Sequence, residues 1–230
     1  MKTRCSHVLL WVKEIHQAVR DFRQLGFTVD YATKEKKAQH AHVWFREGAI
    51  IELLTSPPNA RYFKWLIDIF AGRGAGNRMM RWSQEGEGFC DVALVSDDFD
   101  NDLSTLKRAG IAMGRVVPWR RTKPDGQQTS FRFVYPRTER LPFIVSPYNP
   151  SQHPEKTEHE NGAESLSKVR MEVSEEDWQA VKCLTAGDPT FIITPGPKTM
   201  VTGIEIACLK KALDPALLHG AVIEVSSTDT

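Results

Sequence analysis

The stretch SHVLLWVKEIHQAVRDFRQLGFTV (residues 6–29) reads as a strand, a helix and the start of a second strand. Val8 to Val12 form a short apolar run. Ile15, Val19 and Phe22 then recur three and four apart, which puts one apolar stripe of a helix against a sheet. Leu25-Gly26 closes the helix with a residue able to take the left-handed conformation at its C-terminus. His7 opens the strand, and a histidine in that place needs an explanation.

The pattern recurs. DVALVS…DNDLSTLKRAGI, from Asp91, aligns without a gap: Val8 with Val92, Leu10 with Leu94, Val19 with Leu103, Phe22 with Leu106 and Gly26 with Gly110. Asp97 and Asp98 give this second helix an N-cap signal. A weaker third copy, KVRMEVSEEDWQAVKCLTAGD (168–188), sets Val169 opposite Val8 and Gly187 opposite Gly26, with Lys168 where His7 stands. The copies close on similar strands, GAIIELL (48–54), PFIVS (142–146) and GAVIEV (220–225), so that Glu52 corresponds to Ser146 and to Glu224. Between helix and closing strand lie two strand candidates per copy: FTVDYA and HAHVWFR, MGRVVPW and TSFRFVY, TFIITP and MVTGIEIAC. Each unit therefore reads β-α-β-β-β.

These boundaries give an α+β chain of two units in 1–147 and a third, degenerate unit in 166–230. Unit one takes 1–55 and unit two 88–147. Residues 56–87 form an insertion, apolar at helical spacing around Tyr62, Trp65, Leu66 and Phe70, expected to make one or two short helices over an edge or a pocket mouth. Its GRGAGNR (72–78) lacks the Lys-Ser/Thr and the preceding strand of a phosphate loop. Residues 148–165 are polar, proline-bearing and aperiodic, and read as a linker.

With 41% hydrophobic and 26% charged residues the 230-residue chain can bury a substantial core. Its formal charge of +1 supplies no long-range field for nucleic acid or anionic membrane, so a small molecule is the expected partner. The apolar run at the start meets Lys13 and Glu14, too short for a signal peptide or a membrane span, and the expectation is a cytoplasmic protein. Cys5, Cys90, Cys183 and Cys208 lack CxxC spacing and read as small hydrophobes in a reducing compartment.

A unit whose first strand starts with His, whose helix ends Leu-Gly-Phe and whose last strand reads Ile-Glu-Leu resembles the vicinal oxygen chelate superfamily. The order ELL, VALVSDDFD, WRRTKPDG, LPFIV and HENGAESLSKVRMEV is similar to its glyoxalase-like branch. The resemblance implies two units pairing into an open barrel around a cup. It also implies a divalent zinc, manganese or iron ion held by the positions of His7, Glu52, Asp91 and Ser146. Asp91 replaces the usual His and Ser146 the usual Glu, and a hydroxyl is a poor ligand, so a metal-free site is the alternative. His7 and Glu52 would then be a base and the carboxylate that orients it.

The hairpin VVPWRRTKPDGQQTSFRF supplies the second set of candidates. Pro124-Asp125-Gly126 marks its turn. Arg120 and Arg121 alternate between faces, so one of them, taken as Arg121, looks into the cup, with Trp119 beside it and Arg132 on the other arm. An arginine fork holding a carboxylate or enolate oxygen is the functional reading and a solvated hairpin the alternative. Trp44 and Trp82 are candidate pocket walls. His16, His40, His42, His153, His159 and His219 receive no role. The implied function is proton transfer next to a carbonyl of a small or medium organic molecule, as an isomerase, lyase or cyclase. The rivals are a non-catalytic protein that sequesters such a molecule, and a metal-dependent dioxygenase or thiol transferase. Pairing of units across a homodimer is an alternative to pairing within the chain.

Overall fold

Alternation along the first strand sorts the molecule into two apolar regions. The computed structural model describes residues 1–56, 62, 64–185 and 187–226; part of the expected insertion, 57–61 and 63, lies outside the described residues. In β1 (Thr3–Trp11), Val8 and Leu10 point to one core, while Leu9 and Trp11 point to another. β1 is followed by α1 (Ile15–Gln24), β2 (Asp30–Tyr31), β3 (His40–Val43) and β4 (Ile50–Leu54). The apolar stripe of α1 buries Ile15, Ala18, Val19 and Phe22 on the first core. Removing the Phe22 ring would cost about 3–5 kcal/mol.

The insertion forms α2 (Lys64–Ala71) and α3 (Ala75–Gln84), as its helical spacing implies. Unit two repeats the order with β5 (Gly88–Ser96), α4 (Phe99–Arg108), β6 (Val117–Thr122), β7 (Gln128–Val134) and β8 (Phe143–Val145). Gly26 and Gly110 end their helices at φ of 86° and 81°, where glycine alone is unstrained. The two units join edge to edge in one eight-stranded sheet, β2-β3-β4-β1-β5-β8-β7-β6. β1 and β5 run antiparallel at its centre, flanked by the parallel partners β4 and β8. The sheet curls as an open half-barrel. Its convex face carries α1 and α4 over the larger core, and its concave face holds the smaller one.

The second strand of unit one is shorter than FTVDYA implied. Phe27 and Val29 turn into the core. The Thr28 N–H donates to His159 Nδ1 at 2.9 Å and the Thr28 hydroxyl to the Glu158 carbonyl. That His159 belongs to the expected linker, and 148–165 is no free spacer. Asn161 donates through its side chain to the Leu25 carbonyl (3.0 Å) and through its backbone to that of Gly26 (3.2 Å). His153 and His159 each place Nε2 on a carbonyl, of Phe45 and Trp44 respectively. The polar composition that reads as solvated here satisfies the backbone of unit one instead.

Unit three comprises β9 (Ser165–Val173), α5 (Trp178–Thr185), β10 (Phe191–Pro195), β11 (Met200–Ala207) and β12 (Ile223–Val225). It keeps the element order but not the topology. Its separate sheet runs β10-β9-β11-β12, so β9 pairs with the strand that follows its helix, whereas β1 lies beside the last strand of its unit. Glu224, equivalent to Glu52 by position in the sequence, is a surface partner of Arg170 (2.7 Å), which also holds Glu205. The unit packs on the convex core through Val169, Met171 and Ile204. It is also tied to β1, through Thr3 Oγ1 on the Leu184 carbonyl and the Cys5 N–H on the Asp188 carboxylate. Among the described residues no helix is long and apolar enough to cross a membrane.

Candidate active site

The concave face holds a cavity of about 420 Å³. Its walls are aromatic and aliphatic: Leu9 and Leu54 from the centre of the sheet, Phe131, Phe133 and Phe143 from unit two, Trp82 from α3. Leu66, Ile67 and Phe70 of α2 and Trp119 of β6 also border it. Phe70 and Trp119 are exposed.

One end is polar, and strand register explains why. Glu52 on β4 stands opposite His42 of β3 and opposite Leu9 of β1. His40 lies two residues along from His42 and His7 two along from Leu9, so all three imidazoles share the face of Glu52. His40 Nδ1 is 2.8 Å from Glu52 Oε1, His7 Nε2 is 3.2 Å from Oε2, and His42 Nε2 is 3.5 Å from Oε1. Arg121 crosses from β6 and brings Nη2 within 3.4 Å of Oε1 and Nη1 within 3.1 Å of His42 Nε2. Its guanidinium lies 5.8 Å from the centre of the Phe131 ring.

Protonation follows from these contacts. Burial disfavours the Glu52 anion, yet the hydrogen bond from His40 and the favourable interactions with the neighbouring imidazoles hold its carboxyl well below the usual range. Burial outweighs the pull of Glu52 at His7 and pushes that imidazole down to about 4. Burial likewise lowers His42. Both rings are neutral at pH 7. A guanidinium only donates, so His42 Nε2 accepts from Arg121 and its proton sits on Nδ1. A carboxylate only accepts, so His7 donates Nε2–H to Glu52 while its Nδ1 accepts from the Ser6 hydroxyl at 3.0 Å. His40 donates Nδ1–H to Glu52, and among the described residues its Nε2 has no hydrogen-bond partner. Its side chain is 39% exposed, against 6% for His7.

The structure brings together His7, Glu52 and Arg121, and sets Trp82 and Trp119 on the same cavity. It does not bring in three other sequence candidates. Trp44 packs edge-on against His42 (5.1 Å between centroids) and lines two grooves adjoining the cup, one of them shared with His7 and Glu52, but not the apolar cavity itself. Arg132 forms a two-pronged pair with Asp100 of α4 at 3.0 Å, over the Phe99 ring, so it faces the convex side. Asp91 is neutralised where it stands: the fully buried Arg78 of α3 donates to it at 2.6 Å and Trp82 Nε1 at 3.1 Å. His40 and His42 were missed, although HAHV carries the signal, two histidines one residue apart on a strand.

The residues do not fit the divalent ion that the superfamily resemblance implies. Asp91 is committed to a guanidinium. The Ser146 hydroxyl accepts from the Arg132 N–H at 2.9 Å and reaches the Pro147 carbonyl. A second guanidinium, Arg121, already stands against Glu52 and would repel a cation. Among the described residues no group of three or more His, Cys, Asp or Glu is arranged to hold a metal.

The profile of the glyoxalase-like domain matches residues 5–184. The chain belongs to the glyoxalase-like family. With it comes membership of the vicinal oxygen chelate superfamily, as the opening histidine and the repeat implied. No curated protein matches the chain. Among solved structures it is similar to a hypothetical protein from Staphylococcus aureus, with TM-score 0.70 and 12% identity over 98% of this chain and 99% of that one. A Mn(II)-bound glyoxalase from Novosphingobium aromaticivorans gives TM-score 0.54 and 12% identity, over 90% of this chain and 67% of that one. Methylmalonyl-CoA epimerase from Streptomyces coelicolor gives 0.39 and 18%, over 64% and 98%. At such identities the likeness concerns the fold.

Proposed function

We propose that this glyoxalase-like protein moves a proton next to a carbonyl in an organic molecule with an apolar body, as an isomerase, lyase or cyclase. The observation that carries the reading is the Glu52–His40 pair at the polar end of an otherwise apolar cup. Glu52 fixes the His40 tautomer through Nδ1–H, which leaves the Nε2 lone pair as the base. When Nε2 takes a proton from the carbon, the buried carboxylate stabilises the imidazolium formed. Arg121 has spare N–H groups beyond those spent on His42 and Glu52, and these hold the enolate oxygen as charge builds on it. The imidazolium then returns the proton to carbon or to a leaving group. His7, whose two nitrogens are engaged by Glu52 and Ser6, positions Glu52 rather than acting as the base.

The test is solvent exchange. A panel of ketones, hydroxyketones and thioesters is incubated with the protein in D2O, and deuterium uptake is read by mass spectrometry. Wild type should exchange an α-hydrogen of at least one compound, and His40→Ala should slow it about 10²–10⁴-fold. Equal rates in wild type and His40→Ala would contradict the assignment. The apolar walls favour one rival, sequestration, which predicts tight binding of a compound by wild type and His40→Ala alike with no exchange.

A further inference from the structure

Beyond His40 the cup opens into a second depression, a groove of about 480 Å³. Trp119, His40 and Arg121 line both, so the two adjoin at the reacting end. The groove is lined by Lys34 and Lys37 from the loop after β2 and by Arg120 and Lys123 from β6 and its turn, with no acidic side chain. Among the described residues none of these four cations is in an ion pair. Glu35, between the two lysines in sequence, lines the neighbouring groove with Asp30 and Asp125, a groove that Lys123 also borders.

That arrangement is local, because the whole chain is balanced at +1. Like charges around one concavity repel one another, and with none of them in a close ion pair an anion seated among them relieves that repulsion. At physiological salt, screening acts over about 8 Å, so a ligand inside the groove is felt by all four while a distant one is not.

We propose that the substrate is amphipathic and anionic: its apolar body fills the cup and a phosphate- or carboxylate-bearing tail lies in the groove of Lys34, Lys37, Arg120 and Lys123. This rests on the reading of the His40 end as the reaction centre, and it names the class of molecule that centre takes. Lysine ammoniums act as point charges on such a tail, and Arg120 adds a planar fork suited to its oxygens.

The probes are inorganic tripolyphosphate and tricarballylate, titrated at pH 7 into 15N-labelled protein. Saturable shifts of the amides of residues 33–38 and 119–123 with either anion are expected, weakening as salt rises. Lys34→Glu/Lys123→Glu should weaken binding at least tenfold. Lys2→Glu/Lys211→Glu, the same charge change on exposed lysines outside the groove, should leave it within twofold. No binding of either anion would overturn the proposal, as would shifts scattered over the surface or an equal loss in both variants. The proton-transfer reading fails differently, by absence of exchange in wild type while anion binding persists. The present inference fails by absence of anion binding while neutral ketones still exchange.

Discussion

Asp91→Asn separates a structural carboxylate from a ligand. Arg78 has no exposed surface and Asp91 is 5% exposed. The pair is made at 2.6 Å, with the Leu141 and Thr138 carbonyls on the other guanidinium nitrogen and the Tyr135 ring 5.0 Å away. Removing the charge of Asp91 strands a guanidinium against aromatic rings with two carbonyls for company. Breaking a buried pair from one side costs about 3–5 kcal/mol. At about 2–4 °C per kcal/mol for a chain of this size, melting should fall by roughly 6–20 °C. Urea unfolding followed by tryptophan fluorescence gives the free energy, and thermal unfolding followed by circular dichroism gives the melting temperature. The double variant Arg78→Met/Asp91→Leu should recover most of the loss, because well-packed apolar residues replace such a pair at little cost. If Asp91→Asn proved as stable as wild type, the carboxylate would not be neutralised by Arg78 and its exclusion from the cup chemistry would be wrong.

Other consequences are smaller. Burial moves His7 from an ordinary 6.5 to about 4, so between those values the unfolded chain takes a proton that the folded one refuses. Stability should therefore fall by about 3 kcal/mol as pH drops through that window. In His7→Asn the slope over that window should flatten, and an unchanged slope would show that His7 is not buried neutral. Gly26 sits at φ +86° with its missing Cβ 2.9 Å from the Asn161 backbone nitrogen; Gly26→Ala should cost about 1–2 kcal/mol and speed proteolytic nicking within 148–165, whereas wild-type nicking rates would mean that segment is not docked there. Arg132→Ala loses an exposed pair with Asp100 and a contact with the Phe99 ring, each worth under about 1 kcal/mol, and should leave ligand affinity in the cup unchanged, while Arg121→Ala should weaken affinity for anionic or carbonyl ligands. Equal effects of the two substitutions would refute the separation of faces.

The sequence displayed the repeat because core alternation and glycine-terminated helices are local signals. Val8, Leu10 and Phe22 recur as Val92, Leu94 and Leu106 wherever the same faces are buried. The joining of β1 to β5 was legible only through the resemblance, since ladder partners are set by long-range packing. The topology of unit three was not legible, because strand order is absent from element order. Residue type and rough position assign Arg132 and Asp91 to the cup, but their partners decide otherwise: Asp100 and Arg78 lie 32 and 13 positions away in sequence. His40 and His42 show the reverse case. Applying the period of two to HAHV, as was done for Arg120 and Arg121, places both imidazoles on the face of Glu52.

The most direct test of the central claim is a long-range 1H–15N spectrum of the imidazole rings at pH 7, assigned with His7→Asn, His40→Ala and His42→Asn. His7 should appear neutral with its proton on Nε2, and His40 with a proton on Nδ1 held by Glu52. A protonated His7, or a neutral His40 carrying its proton on Nε2, would contradict the assignment of His40 as the base of the cup.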